Sequence, residues 1–328
     1  MLLLMGEKPV TKRKITNFYP AMLRQPLFSN LTMGSRILLL VLVILLSGAV
    51  SLSLSYLISL VVWGNDIFLT SGDPATANIV FLRFVQMFNQ LGFFLLPPML
   101  YAWLSEQSPS GFLGFTRPAP FTLVLSLALI LSVMPLMGEL SRWNEHLDLP
   151  GWLSGIERWM IDSEKSAMEL TLRFLGEPGV SSLLINLVMI ALLPALGEEL
   201  LFRSALLGIF RKMFRGIHWP VILSSVIFSA LHLQFFGFLP RFMLGLVFGY
   251  LYLWSGSVWV PVSMHFVNNA SVVIAAYLYN NNLSPIPAEE FGTTSSTLLI
   301  VSSFIICLVI LFLIFRNSRK PDTLDNFS

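Results

Sequence analysis

The sequence is poor in charged residues and contains a single cysteine. Of its 328 residues, 55% are hydrophobic and 12% are charged, whereas a soluble domain carries about 25% charged residues. This composition argues against a soluble globular protein. The lone Cys307 excludes an internal disulfide and any metal site built from several cysteines. Basic residues are few and flank apolar runs, so nothing in the composition supports a nucleic-acid partner.

Long apolar runs take up most of the chain instead. A helix needs about 20 apolar residues to cross roughly 30 Å of hydrocarbon. Eight stretches reach or approach this length: Ile37–Trp63, Ile79–Leu104, Phe121–Met137, Ser181–Leu207, Trp219–Phe236, Leu239–Trp254, Val258–Tyr279 and Thr297–Phe315. We therefore expect an all-α, polytopic membrane protein with about eight transmembrane helices in the lipid bilayer.

Composition divides the chain into five parts. They are a basic N-terminal segment (1–36), the first three transmembrane helices (37–137), an acidic extracytoplasmic segment (138–180), a four-helix core (181–279), and the last helix with a basic tail (280–328). Lys and Arg are concentrated in residues 1–36, in the turn Arg211–Arg215 and in the tail. The positive-inside rule then predicts that both termini are cytoplasmic, in a protein of the plasma membrane.

The acidic segment is too polar to be buried in lipid. Its stretch Trp152–Phe174 carries tryptophans and methionines among charges at roughly helical spacing. It is either an interfacial helix on the outer leaflet or a surface helix docked on other loops. Of the remaining membrane charges, Arg83 is expected to snorkel at the outer end of its helix, and Arg241 is expected in an outer turn.

Ionisable residues inside the apolar runs are the informative ones. Glu198, Glu199 and Arg203 interrupt the fourth run, His232 the fifth and His265 the seventh. An ionisable group at mid-membrane costs at least about 2.5–3.5 kcal/mol, so it faces the bundle interior and marks a functional site by default. The sequence therefore predicts an intramembrane polar site.

The spacing of the acidic residues gives them different surroundings. Glu199 and Arg203 are four residues apart, which puts them on one helix face within ion-pair reach. Glu198 is turned about 100° from Glu199 and is free to point elsewhere. The alternative is that all three side chains simply pair and fix helix packing.

Depth in the membrane brings the polar residues to one level. If the fourth and fifth runs form a hairpin turning near Arg215, Glu198 and His232 both lie about 20 Å from the turn at 1.5 Å per residue. His265 and Asn269, which share a helix face, reach about 12 Å and 18 Å from the same side. A carboxylate, imidazoles and further donors in a dry cavity suit the attack of water on an amide.

Three short motifs carry a family resemblance. EELLFR (Glu198–Arg203), FSALH (Phe228–His232) and HFVNN (His265–Asn269) fit the patterns EExxxR, FxxxH and HxxxN. In this order and on separate helices they resemble the CPBP family, also called ABI, which includes the CAAX prenyl endopeptidases. The resemblance covers roughly Ser181–Tyr279. Neither an HExxH zinc motif nor a GxSxG elbow is present in the sequence.

The resemblance implies an eight-helix intramembrane endopeptidase that uses a glutamate-activated water. Glu198 would activate the water and His232 would bind it. His265 and Asn269 would form the oxyanion side, and Glu199 with Arg203 would orient the site. The implied substrate is a membrane-bound or lipidated peptide or protein.

Alternatives to a metal-free peptidase remain open at this stage. The chain could be a non-catalytic bacteriocin-immunity or scaffold protein of the same family, or a proton-coupled transporter that uses the same relay. Two histidines and a glutamate also form a ligand set for zinc. The arginine paired with the site favours electrostatics without a metal, so no cofactor is expected.

Overall fold

The computed structural model describes residues 25–67, 76–146 and 150–318. The basic residues predicted near the N-terminus (Lys8 to Arg24) and at the end of the tail (Arg319 and Lys320) lie outside this part of the chain. Within it the fold is all-helical and contains no strand, which confirms the predicted fold class. We number the main helices α1 Met33–Trp63, α2 Ile79–Ser105, α3 Pro109–Phe112, α4 Pro120–Ser132, α5 Met134–Glu145, α6 Ser154–Gly176, α7 Val180–Met213, α8 His218–Ala230, α9 Phe238–Ser255, α10 Trp259–Asn280 and α11 Thr297–Asn317. Single 3₁₀ turns occur at Gly151–Leu153, Phe235–Gly237 and Ala288–Glu290.

Five of the described helices are long and apolar enough to cross a membrane, and a bent pair makes a sixth. The five are α1, α2, α7, α9 with its preceding turn, and α11, and the pair is α4 with α5, bent by 45°. The chain is therefore an integral membrane protein. The predicted number of eight spans is not confirmed. The helix α8 has only 13 residues, and the middle of α10 carries His265, Asn268 and Asn269, which reduce its apolar character.

Two of the long helices contain π-helical segments next to prolines. These segments are Leu91–Leu95 in α2 and Leu187–Leu192 in α7, followed by Pro97 and Pro194. Proline has no N–H, so it leaves the carbonyl four residues earlier without a partner. In lipid that carbonyl must be satisfied by a neighbouring helix.

Serine hydroxyls of α1 bind main-chain carbonyls of α2. The Ser47 hydroxyl donates to the Gly92 carbonyl at 2.6 Å, and the Ser51 hydroxyl donates to the Phe88 carbonyl at 2.6 Å. A Cβ atom on Gly92 would lie 2.3 Å from the Ser51 Cβ. Small residues thus let the two backbones approach closely, as is typical of helix pairs in membranes.

Two apolar cores meet at the centre of the bundle. One core joins α4, α9, α10 and α11, with Phe248 among its buried residues. The other joins α1, α2, α7 and α8, with Phe228 among its buried residues. The helices α7 to α10 form the border between the two cores, and this border is where the polar residues of the three motifs lie.

The last turn of α6 is fastened to the bundle by polar side chains. Arg83 and Asn186 both donate to the Phe174 carbonyl, at 3.0 and 2.8 Å, and Asn280 donates to the Leu175 carbonyl at 2.9 Å. The expectation that Arg83 snorkels was wrong, because its side chain is buried and satisfies a helix C-terminus. Trp152, in the 3₁₀ turn before α6, and Ile156 and Trp159, in the first half of α6, are exposed.

Candidate active site

The acidic pair of the first motif lies where α7 changes its winding. Glu198 and Glu199 end a regular α-helical stretch, and a π-helical segment, Leu200–Leu206, follows and contains Arg203. Short π-helical segments occur frequently at functional sites. All three charged side chains are buried, so the cost of their burial must be compensated within the bundle.

Glu199 is engaged on both oxygens. Its Oε2 forms an ion pair with Arg203 Nε at 3.0 Å, without the geometry of a hydrogen bond, and both side chains are fully buried. Its Oε1 accepts a hydrogen bond from His265 Nδ1 at 2.9 Å. Glu199 therefore holds a residue of its own helix and a residue of α10 at once, which fixes the relative position of the two helices.

Glu198 lies in different surroundings from its neighbour. Its Oε2 is 3.8 Å from His232 Nε2 and 3.8 Å from His265 Nε2. Among the described residues this oxygen has no hydrogen-bond partner, although the side chain is only 7% exposed. A buried acceptor without a partner is costly and calls for an explanation. Here it is a carboxylate oxygen that faces two imidazoles.

His232 lies on a turn and not on a helix. The predicted fifth span (Trp219–Phe236) was wrong in extent, because α8 ends at Ala230 and residues 231–234 form a turn with Leu233 at φ 53°. The His232 Nδ1 lies 2.8 Å from the Phe228 carbonyl. A carbonyl only accepts, so Nδ1 carries the hydrogen and Nε2 of the neutral ring presents its lone pair towards Glu198. The side chain is 28% exposed, which makes it the open side of the cluster.

Asn269 contacts α7 above the carboxylates. Its Nδ2 donates to the Ile190 carbonyl at 3.1 Å, and its Oδ1 accepts from Asn268 Nδ2 at 3.1 Å. Ile190 lies in the π-helical segment Leu187–Leu192, four residues before Pro194. The structure thus gives Asn269 one use that its predicted role did not include, the binding of a main-chain carbonyl of α7. No described contact joins its amide to Glu198 or to either histidine.

Two phenylalanines enclose the buried arginine. The Arg203 guanidinium carbon lies 4.6 Å from the ring centre of Phe228 and 5.8 Å from that of Phe248. Phe248 also stacks on the His265 ring at 5.7 Å. Cation–π contacts of this kind stabilise a desolvated guanidinium. The sequence did not predict either contact with Arg203. Phe228 belongs to the FSALH motif but was given no role there, and nothing in the sequence distinguishes Phe248 from the many other phenylalanines.

The donor set bears on the question of a metal. Both imidazoles have Nδ1 committed to an acceptor and Nε2 turned towards Glu198, which is an orientation also found in metal-bound histidines. Among the described residues, however, no group of three or more His, Cys, Asp or Glu side chains is arranged to hold a metal ion.

Comparisons with known proteins connect these residues to a family. The family model described as "Type II CAAX prenyl endopeptidase Rce1-like" matches residues 180–271. This range is under a third of the chain and contains all three motifs. Two curated relatives match at low identity: an uncharacterized 24.3 kDa protein of Escherichia coli, 28% identical over 97 residues, and the uncharacterized protein YpbD of Bacillus subtilis (strain 168), 29% identical over 89 residues.

The matches to the two relatives cover only part of this chain and part of each relative. They cover 28% and 26% of this chain, and 45% and 42% of the two relatives, so the chain spans less than half the length of either. No solved structure matches. The family model nevertheless falls on the segment that holds the three motifs, and it confirms the resemblance of this segment to the CAAX protease family that the motifs predicted.

Proposed function

We propose that the protein is an intramembrane endopeptidase that hydrolyses a peptide bond with a water activated by Glu198. One observation carries this proposal: Glu198 is a buried carboxylate that no arginine or lysine of the described residues pairs with, and two imidazole nitrogens face its Oε2 at 3.8 Å. A general base needs a free lone pair within reach of the water that it deprotonates. Glu199 suits this role less well, because its Oε1 accepts from His265 and its Oε2 is in an ion pair with Arg203.

The first step places a water between Glu198 and His232. The Glu198 Oε2 and the His232 Nε2 are both acceptors, and at 3.8 Å they are too far apart for direct contact and close enough for one water to donate to both. Glu198 takes one proton of this water, and the resulting hydroxide attacks the carbonyl carbon of the scissile bond. The same carboxyl then gives the proton to the leaving amine as the C–N bond breaks.

His265 and Asn269 would stabilise the negative charge on the tetrahedral intermediate. The His265 Nδ1–H is held by Glu199, so Nε2 donates only when the ring is an imidazolium. Two carboxylates and one guanidinium leave one negative charge in this apolar interior, and a proton on His265 balances it. Asn269 shares the His265 face of α10 and has a second amide hydrogen besides the one given to Ile190.

Glu199 and Arg203 would orient the site without touching the substrate. Their fully buried pair fixes the carboxylate that positions His265. Preorganised charges of this kind are effective because the low-dielectric interior neither screens nor reorients them.

The substrate class follows from where the site lies and from the family. A site bordered by apolar helices is reached by peptides that are themselves membrane-bound. The description of the matching family names prenylated tails as one such class. We therefore propose a membrane-associated or lipidated peptide or protein as the substrate, in a protein that needs no cofactor.

The proposal is tested by cleavage assays in detergent. Wild type, Glu198→Ala and His232→Ala are incubated with a panel of farnesylated and unmodified hydrophobic peptides, with and without a chelator. His218→Ala is the matched control, because His218 lies at the start of α8, outside the cluster, where it contacts Tyr250 of α9. The melting temperature of every variant is recorded. We expect cleavage by wild type and His218→Ala, and none by the two site variants, all of them folded.

Other results would favour the alternatives. Loss of cleavage on chelation would favour a zinc enzyme instead. No cleavage of any peptide, together with melting temperatures that fall sharply in both site variants, would favour the immunity or scaffold protein.

The orientation of the protein is a separate proposal. We propose that both termini face the cytoplasm, on the strength of the Lys and Arg distribution. Single cysteines placed at exposed positions near each end, in a protein with Cys307 replaced, are labelled by an impermeant maleimide in intact cells and in inverted vesicles. Labelling only in inverted vesicles is the expected result, and labelling in intact cells would reverse the assignment.

A further inference from the structure

The segment that carries His232 has little regular structure of its own. We call residues 231–237, between the end of α8 and the start of α9, the His232 loop. Its backbone turns through the left-handed Leu233, and the His232 amide makes only a long contact of 3.4 Å to the Ser229 carbonyl. The loop therefore depends on contacts from other elements for its position.

Arg241 makes the most extensive of these contacts. From α9 its Nη1 donates to the Gln234 side-chain oxygen at 2.9 Å, and its Nη2 donates to the Gln234 main-chain carbonyl. A Cβ atom on Gly237 would lie 2.8 Å from the guanidinium carbon, so the plane of the guanidinium rests against that glycine. One side chain thus spans the His232 loop from residue 234 to residue 237.

Two further elements hold the same loop. On α5 the buried Asn144 donates to the Phe235 carbonyl at 2.6 Å and accepts from the Leu239 amide at 3.1 Å. On α6 the Glu164 carboxylate accepts from the Phe236 amide at 3.3 Å. The His232 loop is therefore fixed by three elements that lie outside the three motifs or flank them.

We propose that Arg241 is a positioning residue that holds His232 at its working distance from Glu198 by binding Gln234 at two points. This inference rests on the proposed peptidase function. Sequence reasoning assigned Arg241 to an outer turn and gave it no role. Arg241 binds Gln234, which is two residues after His232, and this contact forms only because the loop folds onto α9.

Arginine suits this role better than lysine does. Its guanidinium is a rigid fork that binds two oxygens at once, whereas a lysine ammonium is a single point on a flexible stem. Displacement of a reacting group by about 1 Å costs on the order of 10²-fold in rate. The contact therefore acts through the geometry of His232 and not through direct contact with a substrate.

The test reads the position of the loop and the reaction separately. In a protein with Cys307→Ala and Leu231→Cys, a spin label is attached beside His232, where the Leu231 side chain is exposed. The label mobility and the constants kcat and KM are measured for Arg241→Met, Arg241→Lys and Gln234→Ala. Arg36→Met is the matched control, because Arg36 also binds one carbonyl (Ser29) and one side-chain oxygen (Glu106), at 3.0 and 2.8 Å, on another part of the bundle.

We expect Arg241→Met to increase label mobility and to lower kcat by on the order of 10²-fold, with KM changed by less than about twofold. Arg241→Lys, which keeps the charge but loses the fork, should mobilise the label to an intermediate degree. Gln234→Ala should have a smaller effect that disappears when Arg241 is already methionine. Arg36→Met should leave both label mobility and kcat at wild-type values.

Three outcomes would overturn the proposal. They are a label that stays immobile in Arg241→Met, a mobile label with unchanged kcat in an active enzyme, and wild-type behaviour of Arg241→Lys. Label mobility is read on any folded protein, whether or not it cleaves. Failure of the proposed function (no cleavage by wild type) is therefore distinguishable from failure of the positioning role (an immobile label).

Discussion

Two carboxylates of this bundle, the partly buried Glu106 and the buried Glu198, show how differently an acidic group can be used. Glu106, just after α2, accepts from Arg36 Nη1 at 2.8 Å and from Lys212 Nζ at 3.1 and 3.2 Å. It ties α1, α2 and the end of α7 together. Glu198, in the middle of α7, has no such cation and faces two imidazoles across 3.8 Å.

The difference between these surroundings separates a carboxylate that stabilises helix packing from one that is available for catalysis. A charge removed from water is tolerated when a partner and hydrogen bonds compensate for the lost solvation. Glu106 has that compensation, and its replacement should be felt as a loss of stability. Glu198 lacks it, so the bundle bears a cost there, and such strained or unsatisfied groups are concentrated at functional sites.

The largest expected effect is a crossover between Glu198→Gln and Glu106→Gln. Glu198→Gln removes the base and should lower kcat by about 10²–10⁴-fold, while the melting temperature in detergent stays the same or rises because a buried charge is gone. Glu106→Gln should do the opposite, with activity within about twofold and a lower melting temperature. If both variants lost stability and neither lost activity, the two carboxylates would be equivalent and the comparison would fail.

The second effect concerns the arginines of the two clusters. Arg203→Met leaves Glu199 buried without its cation and should cost about 3–5 kcal/mol of stability. Arg36→Met leaves Lys212 on Glu106 and should cost about 1–2 kcal/mol. Thermal unfolding of the purified proteins measures both. Equal losses would mean that Arg203 contributes no more than an ordinary ion pair.

A third and smaller effect tests the packing behind the site. A Cβ atom on Gly197, next to Glu198, would lie 2.8 Å from the Phe94 Cβ and 3.1 Å from the Leu95 amide nitrogen, so α7 and α2 would be pushed apart. Gly197→Ala should cost about 1–3 kcal/mol. Gly34→Ala is the control, because nothing lies within 4 Å of its Cβ position. Wild-type stability of Gly197→Ala would show that α2 gives way easily.

The smallest effect is expected from Lys212→Met. The Lys212 side chain is 33% exposed, and Arg36 keeps Glu106 paired after the change. A loss of less than about 1 kcal/mol and no change in kcat are expected. A fall in kcat after this substitution would link the Glu106 cluster to catalysis and would remove the distinction between the two carboxylates.

Local spacing made part of the site predictable. Glu199 and Arg203 lie within ion-pair reach because residues four apart share a helix face, and that rule depends only on the sequence. The turn of about 100° between adjacent residues likewise predicts that Glu198 points away from its neighbour's partner. The equal depth of Glu198 and His232 also followed from the hairpin, even though α8 ends two residues before the histidine.

Contacts between distant segments were not predictable in this way. Asn269 donates to the Ile190 carbonyl on α7, and sequence spacing does not say which carbonyl of a neighbouring helix a buried amide binds. Arg83 was expected at the lipid surface and is bound to Phe174 on α6. The number of helices that cross the membrane was likewise set by where helices bend or stop, at Val133 and after Ala230, and not by the length of apolar runs.

The sequence by itself determined the helical class, the membrane setting, the family resemblance and the identity of the buried polar residues. These follow from composition and short-range periodicity, which act on neighbouring residues. Tertiary structure alone decided that Glu199 is engaged on both oxygens while Glu198 faces two imidazoles, and that Arg241 holds the His232 loop. Such choices depend on side chains from different helices competing for the same few buried hydrogen-bonding groups, and only the packed bundle decides which of them meet.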